Sequence, residues 1–281
     1  MLTAQQLAGL TARAAEMRWR IVRMMGWGKP HHFGGSLSAA DVVTALYFYK
    51  MRTNPADPGW PERDRFIMSK GHAVPAQYAA LAMLGVFPTA ELQSLKQLGS
   101  RLQGHPAMHL TPGLEACTGA LGEGLSYANG MALAGRLQGR AYRVYCLLGD
   151  GELHEGQVWE AAMTAARHRL NQVTAIVDRN RLKGSSEVDS AKLLEPLTGR
   201  WECFGWAACQ VDGHDMGAIC GALDWADTAG RPALIVAHTV KGKGVSFMEG
   251  DCGFHNAPIS ESQYRQAMAE LERAYRPAEG A

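Results

Sequence analysis

The chain has 281 residues, enough to bury one α/β domain, and 47% of them are hydrophobic. Its 28 Lys+Arg against 27 Asp+Glu, with no run of like charge beyond local pairs, exclude an electrostatic footprint for nucleic acid or an anionic membrane surface. There is no apolar core of signal-peptide length at the N-terminus and no stretch approaching the roughly 20 apolar residues of a membrane span, which points to a cytoplasmic metabolic protein.

In chain order, residues 1–27 read as an amphipathic helix, 38–51 as a second and 73–85 as a third. Asn54–Pro61 is a Pro-rich loop, and 88–98 reads as a short surface helix. From residue 119 the pattern alternates: helix 122–138, strand 143–148, helix 156–170, strand 173–177, a long loop 179–192, helix 193–204, strand 207–211, helix 215–229 and strand 233–238. Such alternation predicts an α/β fold, a mostly parallel sheet with helices on both faces. A polar helix and the tail Pro277–Ala281 follow, so one domain over 1–281 is expected, without internal repeats. Six cysteines (Cys117, Cys146, Cys203, Cys209, Cys220 and Cys252) show no C-x-x-C spacing, which disfavours zinc or a disulfide framework and predicts buried free thiols.

The most informative segment is Gly149-Asp150-Gly151, at the end of the apolar run Arg143–Leu148, with Asn180 closing the next apolar run. Between them, Val158, Ala161, Ala162, Ala165, Ala166 and Leu170 recur at helical spacing. In a βαβ unit both strands point the same way, so Asp150 and Asn180 should emerge at one edge of the sheet, where open α/β folds bind ligands. A carboxylate, a carboxamide and a carbonyl together suit magnesium, which takes oxygen ligands and leaves several positions to phosphate and water. A dinucleotide site is a weaker rival, because Leu153-His154 stand where a third glycine would be needed.

This segment resembles the thiamine diphosphate motif of the transketolase family. Other segments follow in that family's order: His32-Phe33-Gly34-Gly35-Ser36-Leu37-Ser38, Asp64 through His72, Gly104-His105-Pro106, Thr118 through Gly124, Val240 through Gly244, and Phe254 through Pro258. The resemblance covers roughly residues 10–270 and implies the diphosphate-binding fold of that family. It implies Mg2+, with Ca2+ or Mn2+ able to substitute, held by Asp150, Asn180 and the Leu182 carbonyl. It implies thiamine diphosphate contacts from His72, Gly119, Ala120, Leu121, Gly151, Glu155, Asn180, Lys241 and His255. His32 and His105 would face the donor sugar, and Glu155 would reach a catalytic glutamate of a partner.

By the same resemblance the pyrimidine-binding and C-terminal domains are missing and expected on a separate chain, in an α2β2 assembly that acts on sugar phosphates. The chain alone should then be inactive. Alternatives are another enzyme of the fold, such as a dihydroxyacetone synthase, a deoxyxylulose-phosphate synthase or a pyruvate dehydrogenase-type subunit, or a non-catalytic cofactor- or partner-binding module. Glu155 has a plainer reading as an acid at a helix N-terminus, and Lys183 either touches the diphosphate or caps its loop. His31, His109, His154, His168, His214 and His238 match no motif position and read as ordinary surface or packing histidines.

Overall fold

The computed structural model describes residues 2–275 except 185 and 191. The Pro277–Ala281 tail and Ser185, in the loop after Asn180, lie outside the described residues.

Five strands, β1 (Arg65–Met68), β2 (Val144–Gly149), β3 (Val173–Arg179), β4 (Ala207–Asp212) and β5 (Ala233–His238), form one sheet in the order β1-β2-β3-β5-β4. Every neighbouring pair is parallel. Successive side chains point to opposite faces and enter two separate cores. Phe66, Met68, Tyr145, Leu147, Ile176 and Ile235 belong to one, while Ile67, Val144, Cys146, Leu148, Val177 and Val236 belong to the other. Both faces are covered, which is why these strands read as continuous apolar runs instead of alternating ones.

The first core is closed by α1 (Ala4–Met25), α2 (Phe33–Ser38), α3 (Ala40–Ala45), α4 (Val74–Met83), α8 (Met216–Thr228) and α9 (Glu261–Glu272). The second is closed by α5 (Gly124–Leu137), α6 (Gly156–Arg167) and α7 (Leu197–Cys203). In α6 the residues at helical spacing, Val158, Ala161, Ala162 and Ala165, are the buried ones. Their small side chains let the helix lie close on the sheet.

Several local expectations change. The expected helix 38–51 begins earlier, at Phe33, and divides into α2, α3 and a π-helical turn over Leu46–Lys50. Gly34 allows this entry, because a Cβ there would lie 2.8 Å from Cγ of Lys241. Residues 88–98 form only a 3-10 turn, Thr89–Ser94. The expected helix 193–204 starts at Leu197, after Pro196 in extended backbone. β1 was not expected as a strand, since its four residues follow a charged stretch and are too short to show a period. All six cysteines are free, but only Cys146 and Cys220 are buried; Cys209 and Cys252 are half-buried and Cys117 and Cys203 exposed, so the expectation of buried thiols holds for two of the six. No helix among the described residues is long and apolar enough to cross a membrane.

The parallel arrangement puts the carboxyl ends of all five strands along one edge. There the segments after β1 (Ser69–His72), β2 (Asp150–Glu152), β3 (Asn180–Leu182) and β5 (Thr239–Lys241) come together.

Candidate active site

A cavity of about 250 Å³ opens at that edge, and its lining includes Asp150, Gly151, Asn180, Leu182, Lys241, His72 and His255. All seven were singled out in the sequence. Leu121 and Lys183 line it as well.

Asp150 is 2% exposed. Its Oδ1 accepts from the Gly151 N–H at 2.8 Å and its Oδ2 from the Arg181 N–H at 2.6 Å, so both oxygens are aimed by backbone. Burial, with Asp178 nearby, raises its pKa to about 6 against the pull of these N–H groups and Arg179. A carboxylate held in this way is relieved by a bound cation. The donor set of one carboxylate, one carboxamide and one carbonyl is all oxygen and fits a hard divalent ion completed by phosphate and water. Among the described residues no group of three His, Cys, Asp or Glu could hold a metal.

Asn180 is oriented by Asp178. Its Nδ2 donates to Asp178 Oδ2 at 2.8 Å, and its Oδ1 accepts from the Leu182 N–H at 3.2 Å with a second lone pair left to coordinate. Asp178 is fully buried and also accepts from the Ser38 hydroxyl at 2.6 Å, from the Thr239 hydroxyl and from the ammonium of buried Lys70. Burial alone would raise the Asp178 pKa; the charge and hydrogen bond of Lys70, with the Ser38 and Thr239 hydroxyls, outweigh it and hold the group below the usual carboxylate range. Lys70 Nζ further donates to the Gly35 carbonyl at 2.8 Å, joining α2 to the strand ends.

Sequence reasoning missed three residues that hold this frame: Asp178, Glu152 and Arg179. Glu152, 2% exposed, accepts from Gly122 N at 2.8 Å, from Gly149 N at 2.9 Å and from the Ser69 hydroxyl, which ties the Thr118–Gly124 segment to the end of β2. Arg179 reaches Asp150 at 3.4 Å, Asp189 at 2.6 Å and Glu195 at 3.2 Å, anchoring the loop that follows Asn180. The available signal was a charged residue inside or just after an apolar strand, where an ion must be paired to be tolerated. Gly71 completes the frame, since a Cβ there would lie 1.9 Å from the Thr118 carbonyl oxygen.

Lys241 Nζ donates to the Leu182 carbonyl at 2.8 Å and to His255 Nδ1 at 3.0 Å. Burial, followed by the charge of Lys70, lowers the Lys241 pKa to about 8. Because His255 Nδ1 is the acceptor, its neutral ring carries the proton on Nε2 and can donate to a ligand.

Four histidines from distant segments converge. The ring centroid of His32 lies 5.0 Å from that of His72, 5.5 Å from His255 and 6.0 Å from His105; His72 and His255 are 5.1 Å apart. Burial lowers all four pKa values, to about 4 for His32 and His255 and well below the usual value for His72, so these rings are neutral at pH 7. A second cavity of about 240 Å³, lined by His32, His105 and His31 among others, shares His72 with the first. His31, read as an ordinary histidine from sequence, thus belongs to the site.

Three expected contacts lie at the margin. Gly119 and Ala120 are exposed and outside the cavity lining, while Leu121 just after them is in it. Glu155 is exposed at the N-cap of α6 with no side-chain capping bond, instead of in the helix's first turn, and does not line the cavity.

Residues 13–278 match the family model described as transketolase, thiamine diphosphate binding domain. The chain belongs to the transketolase family. It is 45% identical over 243 residues to a 6-deoxy-6-sulfo-D-fructose transketolase subunit from Clostridium sp. (strain MSTE9), an alignment that covers 86% of this chain and 88% of that relative. It is 41% identical over 267 residues to an apulose-4-phosphate transketolase subunit from Phocaeicola vulgatus, covering 95% of each. Against human transketolase it is 38% identical over 268 residues, 95% of this chain but 42% of that protein. Among solved transketolases, that of Campylobacter jejuni superposes with a TM-score of 0.86 at 30% identity, covering 96% of this chain and 43% of that one. The chain is a transketolase subunit: it spans nearly the length of the two subunits and about two fifths of the one-chain transketolases.

Proposed function

We propose that this transketolase subunit binds thiamine diphosphate and Mg2+ (Ca2+ or Mn2+ able to substitute) and, with a second subunit, moves a two-carbon ketol unit from a ketose phosphate to an aldose phosphate. The observation that carries this reading is His72, which lines both the cavity containing Asp150, Asn180 and Leu182 and the cavity containing His32 and His105. A diphosphate site and a sugar-sized site thereby share a wall.

In this reading Asp150, Asn180 Oδ1 and the Leu182 carbonyl hold the metal. Lys241, His72, His255 and the Gly151 N–H face the diphosphate, whose negative charge they offset. Bound thiamine diphosphate supplies a carbanion source and electron sink for cleaving and forming the carbon–carbon bond next to the ketone. Neutral His32 and His105 accept and return protons at the donor's hydroxyls, work that requires unprotonated imidazole at the start. Gly119, Ala120, Leu121 and Glu155, at the rim, meet the partner's side of the cofactor.

The residues 1–281 constitute the diphosphate-binding domain, and the pyrimidine-binding and C-terminal domains reside on a partner chain in a cytoplasmic α2β2 complex. The two near-full-length relatives are themselves named as subunits, which supports the two-chain arrangement. The test is ketol transfer from xylulose 5-phosphate to ribose 5-phosphate with thiamine diphosphate and Mg2+, for the chain alone and after mixing with the candidate C-terminal subunit. Turnover only in the mixture is expected. Equal turnover by the chain alone would refute the two-chain reading, and cofactor binding without turnover in the mixture would redirect the search to other sugars.

A further inference from the structure

The second cavity contains two groups for which the motif-derived roles have no use, His31 and Lys96. His31 is 4% exposed, and its ring makes no hydrogen bond to any described residue. Its backbone is fixed nonetheless: the N–H donates to the Ala257 carbonyl and the carbonyl accepts from the Ala257 N–H, both at 3.2 Å. The result is an immobilised imidazole in the cavity wall whose hydrogen-bonding capacity no described residue uses, leaving it free for a ligand in the cavity.

Lys96 stands beside it in a strained conformation. Its φ is +58°, in the left-handed region that a lysine rarely adopts, and its backbone N–H is held by the Leu102 carbonyl at 2.9 Å. Its ammonium donates to the carbonyl of Pro30, the residue before His31, at 2.9 Å. An ammonium has three donors, so two remain for the cavity. The cavity lining contains no carboxylate, and Lys29 adds positive charge near His31. The field there favours an anion.

We propose that Lys96 and His31 form an oxyanion-binding subsite for the acidic substituent of the sugar substrate, a phosphate monoester or a sulfonate, so that this chain itself helps select charged sugars. Lys96 supplies the charge and two donors, and neutral His31 supplies one N–H. The inference rests on the transketolase reading above and adds to it a recognition role for residues outside that family's matched motifs.

The test uses the reconstituted two-chain enzyme as wild type, Lys96→Gln and His31→Gln, with steady-state kinetics on three kinds of substrate: phosphorylated sugars, a 6-sulfo ketose, and uncharged glycolaldehyde as acceptor. Lys96→Gln should raise KM for charged sugars about tenfold, the scale of one charge-assisted hydrogen bond near solvent, leaving kcat and the KM for glycolaldehyde within about twofold. His31→Gln should shift KM in the same direction by less. A response confined to the phosphorylated or to the sulfonated substrate identifies which oxyanion the subsite takes. Equal shifts for charged and uncharged substrates, or no shift, would overturn the subsite. If the wild-type complex turns over none of these sugars, the choice of substrates falls with it and the subsite is judged by inorganic phosphate titrated against the His31 ring signals in NMR. Saturable movement lost in Lys96→Gln is then expected, and a flat response overturns it.

Discussion

Replacing Asp178 tests whether the buried frame under the site does two separable jobs. Its carboxylate is fully buried, and Lys70 opposite is 1% exposed. Asp178→Leu therefore strands an ammonium in the protein interior and removes the group that accepts from Ser38, Thr239 and Asn180. Breaking a buried ion pair by deleting one partner costs about 3–5 kcal/mol. For a chain of this size each kcal/mol lowers the melting temperature by about 2–4 °C, so a fall of about 6–20 °C is expected. Adding Lys70→Met removes the stranded charge and should recover most of that loss, since apolar replacement of a whole buried pair is often close to neutral. Cofactor binding should not recover, because Asn180 still lacks the acceptor that turns its Oδ1 toward the metal. The assays are thermal unfolding by circular dichroism and calorimetric titration of thiamine diphosphate with Mg2+. The reasoning is refuted if Asp178→Leu melts within about 2 °C of wild type, or if the double variant binds the cofactor as tightly as wild type does.

Asp150→Ala should abolish Mg2+-dependent thiamine diphosphate binding in the same calorimetry; unchanged affinity would remove the metal assignment. His105→Ala should leave the cofactor bound while slowing ketol transfer in the reconstituted complex by about 10²-fold or more, the lower range for loss of a proton-transfer group, and equal turnover would take His105 out of the mechanism. The His31 pKa is lowered from 6.5 to about 4, by burial first and then by Lys96 and Lys29, so the folded protein resists a proton that the unfolded chain accepts. Its contribution is complete above pH 6.5 and is lost as pH falls through that window. His31→Gln should therefore flatten the loss of stability between pH 6.5 and 4 in urea titrations, and a parallel pH profile would contradict this. Gly71→Ala places a methyl against the Thr118 carbonyl, and it should lower both the melting temperature and cofactor affinity, whereas a neutral outcome would show that the Thr118–Gly124 segment can move without cost.

What the sequence determined by itself was the seven residues Asp150, Gly151, Asn180, Leu182, Lys241, His72 and His255 that meet at one cavity, and the order of elements from residue 119 onward. Strands there are continuous apolar runs, and helix α6 keeps its small residues at 3.6-residue spacing, because each element must bury a particular face. Asp150 and Asn180 were legible for a related reason: parallel strands end at one edge, so the residues that close two successive runs are neighbours whatever lies between them. Tertiary structure decided what depends on pairing across long separations. Asp178 meets Lys70 from 108 positions away, and Glu152 meets Ser69 from 83 positions away, so a charge at the end of an apolar run signals that a partner is needed but not which residue it is. His31 lacks any motif, and it enters the site only because Ala257 pins its backbone beside Lys96. Local patterning reports which face an element buries, whereas buried charges and cavity walls are fixed by contacts between segments that have no common period.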